Sequence, residues 1–385
     1  MMTQDLKGKQ LYDYKIKLFR DAQSFMKPSR TPFSANVTHW MFHDAGYTLA
    51  TAIRDYDIVE QCALRFARNY PVDQLNIFMS AFRNYDLLTD ALGGSGYEGN
   101  DGTNFVAEEL ISPEEYDDFI ADFNKATWEK FFLRKFSKAA DYTPQQFAEA
   151  VKTYLDYLDA RERIDQRLRD AGIVVEKDLP VAFCSLQILF DGMRGIKGLS
   201  LDLRRHPDKI KAFCEAGDPE SVAWTLDQIG TEKGPDLKNP YDAMVSILAH
   251  TILNQKQFAA YKAPVLEKVI RHCETYNKQI INFAEGSWIR FGDFFNQFRK
   301  GTLCMMVEQD DPFEIRRKYP NISLYGGLEV NVMRNGTKQQ CIDMAKKAID
   351  ELGCDGGLIL APTKMLAYPN DMNGENLRAV CEFVQ

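Results

Sequence analysis

The sequence predicts an α/β protein, a single (β/α)8 TIM-type barrel with an N-terminal helical extension and a β-hairpin insertion. Three observations support this prediction. The C-terminal region reads as strand, helix, strand, and about eight short apolar runs of strand character follow the first Pro-rich break, most of them separated by helical patterns. The length of 385 residues suits one barrel with insertions. We therefore divide the chain into a helical lead, residues 1–31, and a barrel, residues 32–385.

The clearest barrel unit lies between residues 322 and 369. A first strand, ISLY, ends at Gly326 and Gly327, which permit a sharp exit, and a second strand, LIL, occupies residues 358–360. Between them, Thr337 followed by Gln340 forms a capping-box pattern that predicts the start of a helix. Parallel strands joined by one helix have loops that open on the same end, where parallel α/β folds place their chemistry.

The other elements are predicted from apolar runs and turn signals. Further strands are expected at residues 33–40, 75–79, 179–185, 243–247, 279–288 and 302–307. Helices are expected at residues 55–70 and from Thr143 onwards, where Thr-Pro favours a helix start. The Gly-rich stretch 93–110 differs in composition and suits a β-hairpin inserted after the second strand.

Composition narrows the range of partners and locations. A net charge of −8 and a pI near 5.4 argue against nucleic acid or an anionic membrane as a partner, because both would require a basic patch. The sequence has no apolar run long enough for a membrane span and no signal-peptide pattern, so we expect a cytoplasmic protein. Its 8 cysteines are scattered without a CxxC pair, which favours free, mostly buried thiols.

Polar residues follow the predicted strands at the points where these end. If the barrel prediction holds, the strand ends bring one set of side chains around a common mouth: Asn36, His39, Ser80, Gln187, Asp191, His250, Asn282, Glu285, Glu308, Glu329 and Lys364. Each also has a structural interpretation, and a lone histidine such as His39 or His250 is often a satisfied core residue. Arg194 could bind an anion or form a salt bridge inside its own loop. Asp310 and Asp311 before Pro312 are expected to begin a helix rather than to hold a metal.

Several motifs resemble one known superfamily. The segments LFDGMRGIKGLSLDL at 189–203, NQKQFAAYKAPVL at 254–266, GGLILAP at 356–362 and PNDMNGENLRAV at 369–380 look like the corresponding parts of the uroporphyrinogen decarboxylase superfamily. This superfamily contains the haem-pathway decarboxylase and a larger set of corrinoid-linked methyltransferases, both of them (β/α)8 barrels. The resemblance thus implies the same architecture that the strand pattern predicts.

The sequence departs from the decarboxylase pattern at its anion-binding positions. The decarboxylase motif M-R-Q-A-G-R-Y corresponds to residues 36–47, where Gly46 and Tyr47 match but neither arginine is present. The essential aspartate of the second strand falls at Ser80, and the C-terminal histidine falls at Lys364. Loss of these groups removes the means of binding a substrate rich in carboxylates. We therefore do not expect a haem-pathway decarboxylase.

A zinc site of the kind found in coenzyme M methyltransferases is also not expected. Those relatives bind zinc through an H-x-C pair after one strand and a cysteine in the last loop. Here the corresponding positions hold Asn282 and Glu285, and the last loop carries Thr363 and Lys364. A different zinc set, His250 with Glu285 and Glu308, stays open but is not favoured.

The remaining branch implies a methyltransferase that passes a methyl group from a small methylated donor, such as an O-methyl aromatic compound, to cob(I)alamin on a separate corrinoid protein. Glu285, Glu308 or His250 would protonate the leaving atom. Trp40, Phe42, Trp288 and Phe291 could line an aromatic wall. We expect the substrate-binding residues to be Asn36, His39, Ser80, Gln187, Asn282, Trp288 and Lys364.

The corrinoid partner and two alternative functions complete the sequence-based hypothesis. The chain lacks a D-x-H-x-x-G element, so the corrinoid must be carried by a partner protein. Dimerisation is common in the superfamily, which leaves a homodimer open. A decarboxylase acting on a less anionic substrate and a non-catalytic barrel used for binding are the alternatives.

Overall fold

The computed structural model describes residues 6–75, 91–94, 97–98, 104–105, 108–176, 179–246 and 248–385. Six strands form one parallel sheet, in chain order: β3 (Val181–Ala182), β4 (Ala243–Ser246), β5 (Ile280–Phe283), β6 (Leu303–Met306), β7 (Ser323–Leu328) and β8 (Leu358–Pro362). Two short strands, β1 (Tyr97–Glu98) and β2 (Asn104–Phe105), pair antiparallel, as the predicted hairpin insertion requires.

Helices connect the strands. They are α1 (Gly8–Gln23), α2 (Trp40–Asp44), α3 (Leu49–Ala52), α4 (Tyr56–Asn69), α5 (Tyr116–Ala121), α6 (Phe123–Ala126), α7 (Leu133–Lys135), α8 (Pro144–Asp170), α9 (Ser185–Ile188), α10 (Gly195–Arg205), α11 (Pro207–Ile229), α12 (Gln255–Tyr261), α13 (Ala263–Thr275), α14 (Pro312–Lys318), α15 (Val330–Asn335), α16 (Lys338–Leu352) and α17 (Gly374–Val384). Short 3₁₀ or π-helical turns occur at Pro113–Glu115, Thr127–Phe132, Ser137–Asp141, Leu189–Met193, Ala249–Ile252, Ile289–Phe291 and Phe294–Gln297. Within the described ranges, no helix has both the length and the apolar character that a membrane span needs.

Single parallel bridges close the sheet into a barrel. The segment after Pro32 pairs with β8 through Phe33 and Leu360, and with the next segment through Ser34 and Gln74. Gln74 in turn pairs with Val174, whose own segment leads into β3. The backbone bonds from Ser34 N to Leu360 O and from Val174 N to Asp73 O measure 2.9 and 2.8 Å. The predicted (β/α)8 architecture is therefore confirmed, while the boundary at residue 31 stays a prediction.

Alternating side chains separate an inner and an outer core. Buried residues that point inward along β4 to β8 form one cluster: Met244, Ile281, Phe283, Cys304, Met306, Tyr325, Ile359 and Ala361. Ile16, Phe19 and Ala22 of α1 belong to the same cluster, so α1 packs across the amino-terminal end of the strands. The intervening residues, among them Val245, Met305 and Leu360, pack against the helices instead.

Local sequence signals account for the start of α16 and for the glycines of β7. Thr337 and Gln340 form the predicted capping box, with Gln340 N donating to Thr337 Oγ1 at 3.2 Å. The prediction that the strand ends before the glycines was wrong, because β7 continues through Gly326 and Gly327 to Leu328. A Cβ at Gly327 would lie 3.1 Å from the Cβ of Ala348, and its φ is +94°. Glycine is needed there for close packing of α16 on the strand.

Candidate active site

Two glutamates follow neighbouring strands at the carboxyl-terminal end of the barrel. Glu308 follows the inward-facing Met306 by two residues, and Glu285 follows the inward-facing Phe283 by two. Because β5 and β6 are parallel neighbours, both side chains belong to the same sector of the mouth. Glu308 Oε2 accepts a hydrogen bond of 2.6 Å from the backbone N–H of Gly286, which ties the two loops together. Both residues are half-buried.

His250 and Trp288 support the loop that carries Glu285. The Nε2 of His250 lies 2.6 Å from the carbonyl oxygen of Glu285, and Trp288 Nε1 donates to the same oxygen at 3.1 Å. Since a carbonyl only accepts, Nε2 of His250 carries the proton. The two rings stack with their centroids 4.1 Å apart, and both residues are buried. His250 thus positions Glu285 through its backbone, from the outer side of the loop.

Asp310 fixes the same loop from the side of β6. Its Oδ1 accepts from Ser287 Oγ at 2.6 Å, and its Oδ2 accepts from the backbone N–H groups of Trp288 and Ile289 at 2.6 and 3.1 Å. Three donors on one carboxylate fix the turn that follows Glu285. Sequence reasoning expected only a helix start here, and that role belongs to Asp311, which caps α14 by accepting from Phe313 N at 2.9 Å.

Asn36 and Lys364 occupy the opposite side of the mouth, where the first barrel segment meets β8. Asn36 is buried with φ +49°, and its Oδ1 has no hydrogen-bond partner in the described part of the protein. A buried acceptor without a partner is rare in folded proteins, so a bound molecule would satisfy it. Lys364 Nζ donates to Asp371 Oδ1 at 2.7 Å, and Asp371 also accepts from the N–H groups of Ala367 and Tyr368. The lysine is therefore held in the loop after β8.

His39, Gln187 and Ser80 are further predicted substrate-binding residues. His39 is buried and stacks on Phe42, with centroids 6.0 Å apart. Gln187 Oε1 accepts from the N–H groups of Leu248 and Ala249 at 2.7 and 3.0 Å, so it links the loops after β3 and β4. Ser80 lies outside the described residues.

Asn282 lies on the helix-facing side of the sheet. Its partners in register, Val245 and Met305, both belong to the outer core, whereas the flanking Ile281 and Phe283 point inward. The expectation that Asn282 shares a rim with Glu285 is not met, because neighbouring strand residues alternate between faces. Its amide is buried, and neither side-chain atom has a hydrogen-bond partner within the described ranges.

The predicted aromatic wall packs into the outer core. Trp288 contacts Phe258, Phe291 and Phe295 there, while Trp40 packs on Phe66 with centroids 6.2 Å apart. Phe42 and Phe291 are likewise buried in that layer.

Phe183 is the aromatic residue that sequence reasoning missed. It follows the inward-packed Val181 by two residues and is 42% exposed just beyond β3. The signal was present in the sequence, since residues two apart in a strand share a face.

Comparison with known proteins agrees with the barrel fold. A sequence model of the family described as uroporphyrinogen decarboxylase (URO-D) matches residues 183–385, which is more than half of the chain. The chain belongs to the uroporphyrinogen decarboxylase family. A methyltransferase from Methanosarcina mazei has a similar solved structure, with a TM-score of 0.59 and 12% identity over 96% of this chain and 97% of that one. At this identity the likeness shows a shared fold. A comparison with curated protein sequences gave no match.

Zinc ligands were next sought among the residues that the structure describes in this uroporphyrinogen decarboxylase family member. Those residues contain no group of three or more His, Cys, Asp or Glu side chains placed to hold a metal ion. In the alternative set, His250 directs its Nε2 to the carbonyl of Glu285 rather than to a shared ligand position. The donor arrangement does not fit a zinc site, and we derive no chemistry through one.

Arginines near the mouth of this family member are engaged within the protein. Arg290 donates to the carbonyls of Leu253 and His250, each at 2.6 Å. Arg194 forms a salt bridge with Asp202 at 2.7 Å. Of the two interpretations of Arg194, an anion-binding residue or a salt bridge, the structure shows the salt bridge. Neither guanidinium is available to neutralise a substrate with many carboxylates.

Proposed function

We propose that this protein is a methyltransferase that moves a methyl group from a small methylated donor to the cobalt of a separate corrinoid protein. The observation that carries the proposal is the hydrogen bond from Gly286 N–H to Glu308 Oε2, which joins the loop of Glu308 to the loop of Glu285 at the barrel mouth. Membership of the uroporphyrinogen decarboxylase family supports a barrel enzyme, and the engaged arginines speak against a polyanionic substrate.

In this proposal, one of the two glutamates acts as the general acid. The bond between the methyl carbon and the donor oxygen breaks, and cob(I)alamin on the partner supplies the electron pair that forms the new carbon–cobalt bond. The donor oxygen keeps the electrons of the broken bond and takes the proton of a Glu308 or Glu285 carboxyl group. A positioned acid of this kind typically contributes about 10²–10⁴-fold to a rate.

The other residues of the site bind and orient the donor. Phe183, exposed beside the mouth, offers an apolar face for an aromatic methyl ether, and the unsatisfied Oδ1 of Asn36 offers an acceptor for a hydroxyl donor. His250 and Asp310 act as positioning residues, because their hydrogen bonds hold the turn that carries Glu285. Fixed geometry of this kind lowers the barrier by aligning the methyl group with the cobalt.

The direct test mixes the protein with cob(I)alamin and a panel of O-methyl, N-methyl and S-methyl compounds, and follows the visible spectrum. We expect methyl-cobalt(III) to form with at least one O-methyl aromatic donor. Absence of any spectral change with all three donor classes, both with free cobalamin and with a corrinoid protein, would reject the proposal.

Decarboxylation of a less anionic substrate is the second candidate, favoured by the family's name and by Lys364, a cation in the loop after β8. Release of labelled CO₂ from small carboxylated aromatic compounds would distinguish it from methyl transfer. A protein that releases CO₂ and gives no methyl-cobalt(III) would favour this candidate.

A further inference from the structure

A cavity lies at the amino-terminal end of the barrel, opposite the mouth. It has a volume of about 1040 Å³ and opens between α1 and the segments that precede β4, β5 and β6. These segments are at the amino-terminal ends of the strands, so the cavity is separated from the mouth by the length of the barrel interior. Its volume is at the upper end of the range of cofactor-sized pockets.

The lining of this cavity is basic although the protein as a whole is acidic. Three of its cations are already paired: Lys9 with Asp13, Lys17 with Asp21, and Arg20 with the buried Asp242. Four more line the same space and form no ion pair with any described carboxylate: Lys238, Lys278, Arg299 and Lys300. The remaining acid in the lining is Asp236. An excess of positive charge in one concave site, in a chain of net charge −8, indicates an anionic ligand.

Lys278 is the decisive residue of the four. It is only 7% exposed, and its ammonium makes no hydrogen bond or ion pair with any residue that the structure describes. The residue is mostly buried, but its Nζ is not among the sealed polar atoms of the described residues, so the ammonium is open to the cavity that it lines. An anion in that space would form a charge-assisted hydrogen bond with it.

The rest of the lining favours an anion attached to an apolar body. Met26 and Leu237 line the cavity and are 55% and 67% exposed, and Ile16 and Pro235 add further apolar surface. Lys300 is held by a cation–π contact with Phe25, 4.4 Å from the ring centroid, which fixes its position at the edge. Cations beside exposed apolar side chains suit a ligand whose phosphate groups are attached to a nucleobase or another apolar ring.

We propose that this basal cavity binds a phosphorylated small molecule of nucleotide size, with its phosphate groups on Lys278, Arg299 and Lys300. The site is independent of the proposed methyl transfer at the mouth. Its occupation would neutralise Lys278 and stabilise the contact between α1 and the barrel.

Calorimetric titration of the full chain with ATP, inorganic pyrophosphate and adenosine tests the proposal. We expect ATP to bind, pyrophosphate to bind more weakly, and adenosine to show no binding at the same concentrations. Lys278→Gln should weaken ATP binding by about tenfold or more, as expected for the loss of a charge-assisted hydrogen bond. Lys211→Gln, which changes an exposed lysine paired with Glu215 outside the cavity, is the matched control and should bind as the wild type does.

Thermal unfolding of the same variants separates a ligand site from a structural lysine. Without ligand, Lys278→Gln should have a Tm equal to or above that of the wild type, because Lys278 lies beside other cations and forms no ion pair with any described residue, and ATP should raise its Tm less. A lower Tm without ligand would show that Lys278 is structural. Failure of both phosphate probes to bind, equal binding of adenosine, or binding of pyrophosphate as tight as that of ATP would overturn the proposal as stated.

Discussion

The two ends of the barrel differ in charge and in how their side chains are satisfied. At the carboxyl-terminal mouth, His250, Trp288 and Asp310 hold the loop of Glu285 by hydrogen bonds, and Glu308 on the next loop accepts from Gly286 N. At the amino-terminal base, cations predominate, and the ammonium of Lys278 faces the cavity without an ion-pair partner among the described residues. The difference teaches that the mouth is organised around groups that can exchange a proton, whereas the base is organised around fixed positive charge.

The largest effect is expected from Glu308→Gln at the mouth. If Glu308 is the general acid, the variant should lose about 10²–10⁴-fold in the rate of methyl-cobalt(III) formation, because the amide cannot donate the required proton. The measurement is the single-turnover rate with cob(I)alamin. Glu314→Gln, an exposed acid of α14 in the same β–α unit, is the matched control and should keep the wild-type rate. If Glu308→Gln were fully active and Glu285→Gln were inactive, the acid would be Glu285.

At the base, removal of one partner of the buried pair Arg20–Asp242 should cost about 3–5 kcal/mol of unfolding free energy. The atoms are 2.6 Å apart and both side chains are almost fully buried, so Arg20→Met leaves Asp242 charged and unpaired. Urea unfolding measures the loss. The double variant Arg20→Met with Asp242→Leu should recover part of it, and a single variant as stable as the wild type would contradict the expectation.

Asp310→Ala should loosen the loop that carries Glu285. Three N–H or O–H donors lose their acceptor, which should cost about 1–3 kcal/mol of unfolding free energy and about tenfold or more in kcat. Asp311→Ala removes only the cap of α14 and is the matched control, since it should lower stability without a similar loss of kcat. Equal effects of the two variants on kcat would argue against a positioning role for Asp310.

Between the two ends, Glu176 makes stability depend on pH. Burial raises the pKa of its carboxyl to about 8, and Gln74 donates a hydrogen bond to it. In the unfolded chain the carboxyl titrates near pH 4, so between about pH 5 and pH 8 the folded protein holds a proton that the unfolded chain has lost. The unfolding free energy should therefore fall as pH rises through this window, by at most about 1.4 kcal/mol per pH unit. Glu176→Gln should flatten the Tm profile relative to the wild type, and parallel profiles would refute this.

The smallest effect is expected at Phe183. Loss of an exposed aromatic face beside the mouth should raise KM for an aromatic donor by about tenfold and leave Tm nearly unchanged, because the side chain is 42% exposed. Steady-state kinetics of Phe183→Ala and Phe183→Leu measure this. Trp224→Ala, an exposed aromatic on α11, is the control and should leave KM as it is.

Local patterns predicted most of the fold, since their signals lie within a few residues of one another. Thr337 with Gln340 forms the expected capping box, and α8 begins after Thr143 as the Thr-Pro pair predicted. The acids that follow β5 and β6 lie at the mouth. The prediction for Asn282 failed because it treated all polar residues near a strand end as facing the mouth. Asn282 stands three residues before Glu285, so the two cannot share a face of the strand.

The remaining features depend on contacts between distant segments. Trp288 packs against Phe258 of α12, and Asp310 accepts from a loop about 20 residues earlier, so neither role follows from local spacing. The buried position of Lys278 likewise arises from the meeting of α1 with the turn before β5. Such placements require the folded arrangement of several helices and strands.

The packing position of α1 has a consequence for the exposure of this helix during synthesis. The ribosome makes α1 before β8, yet Gly357 N donates to the carbonyl of Ala22, and Phe19 shares its cluster with Ile359. The apolar face of α1 therefore stays exposed until β8 has been synthesised. A pulse of protease during synthesis should cut within residues 8–23 far more readily than in the finished molecule.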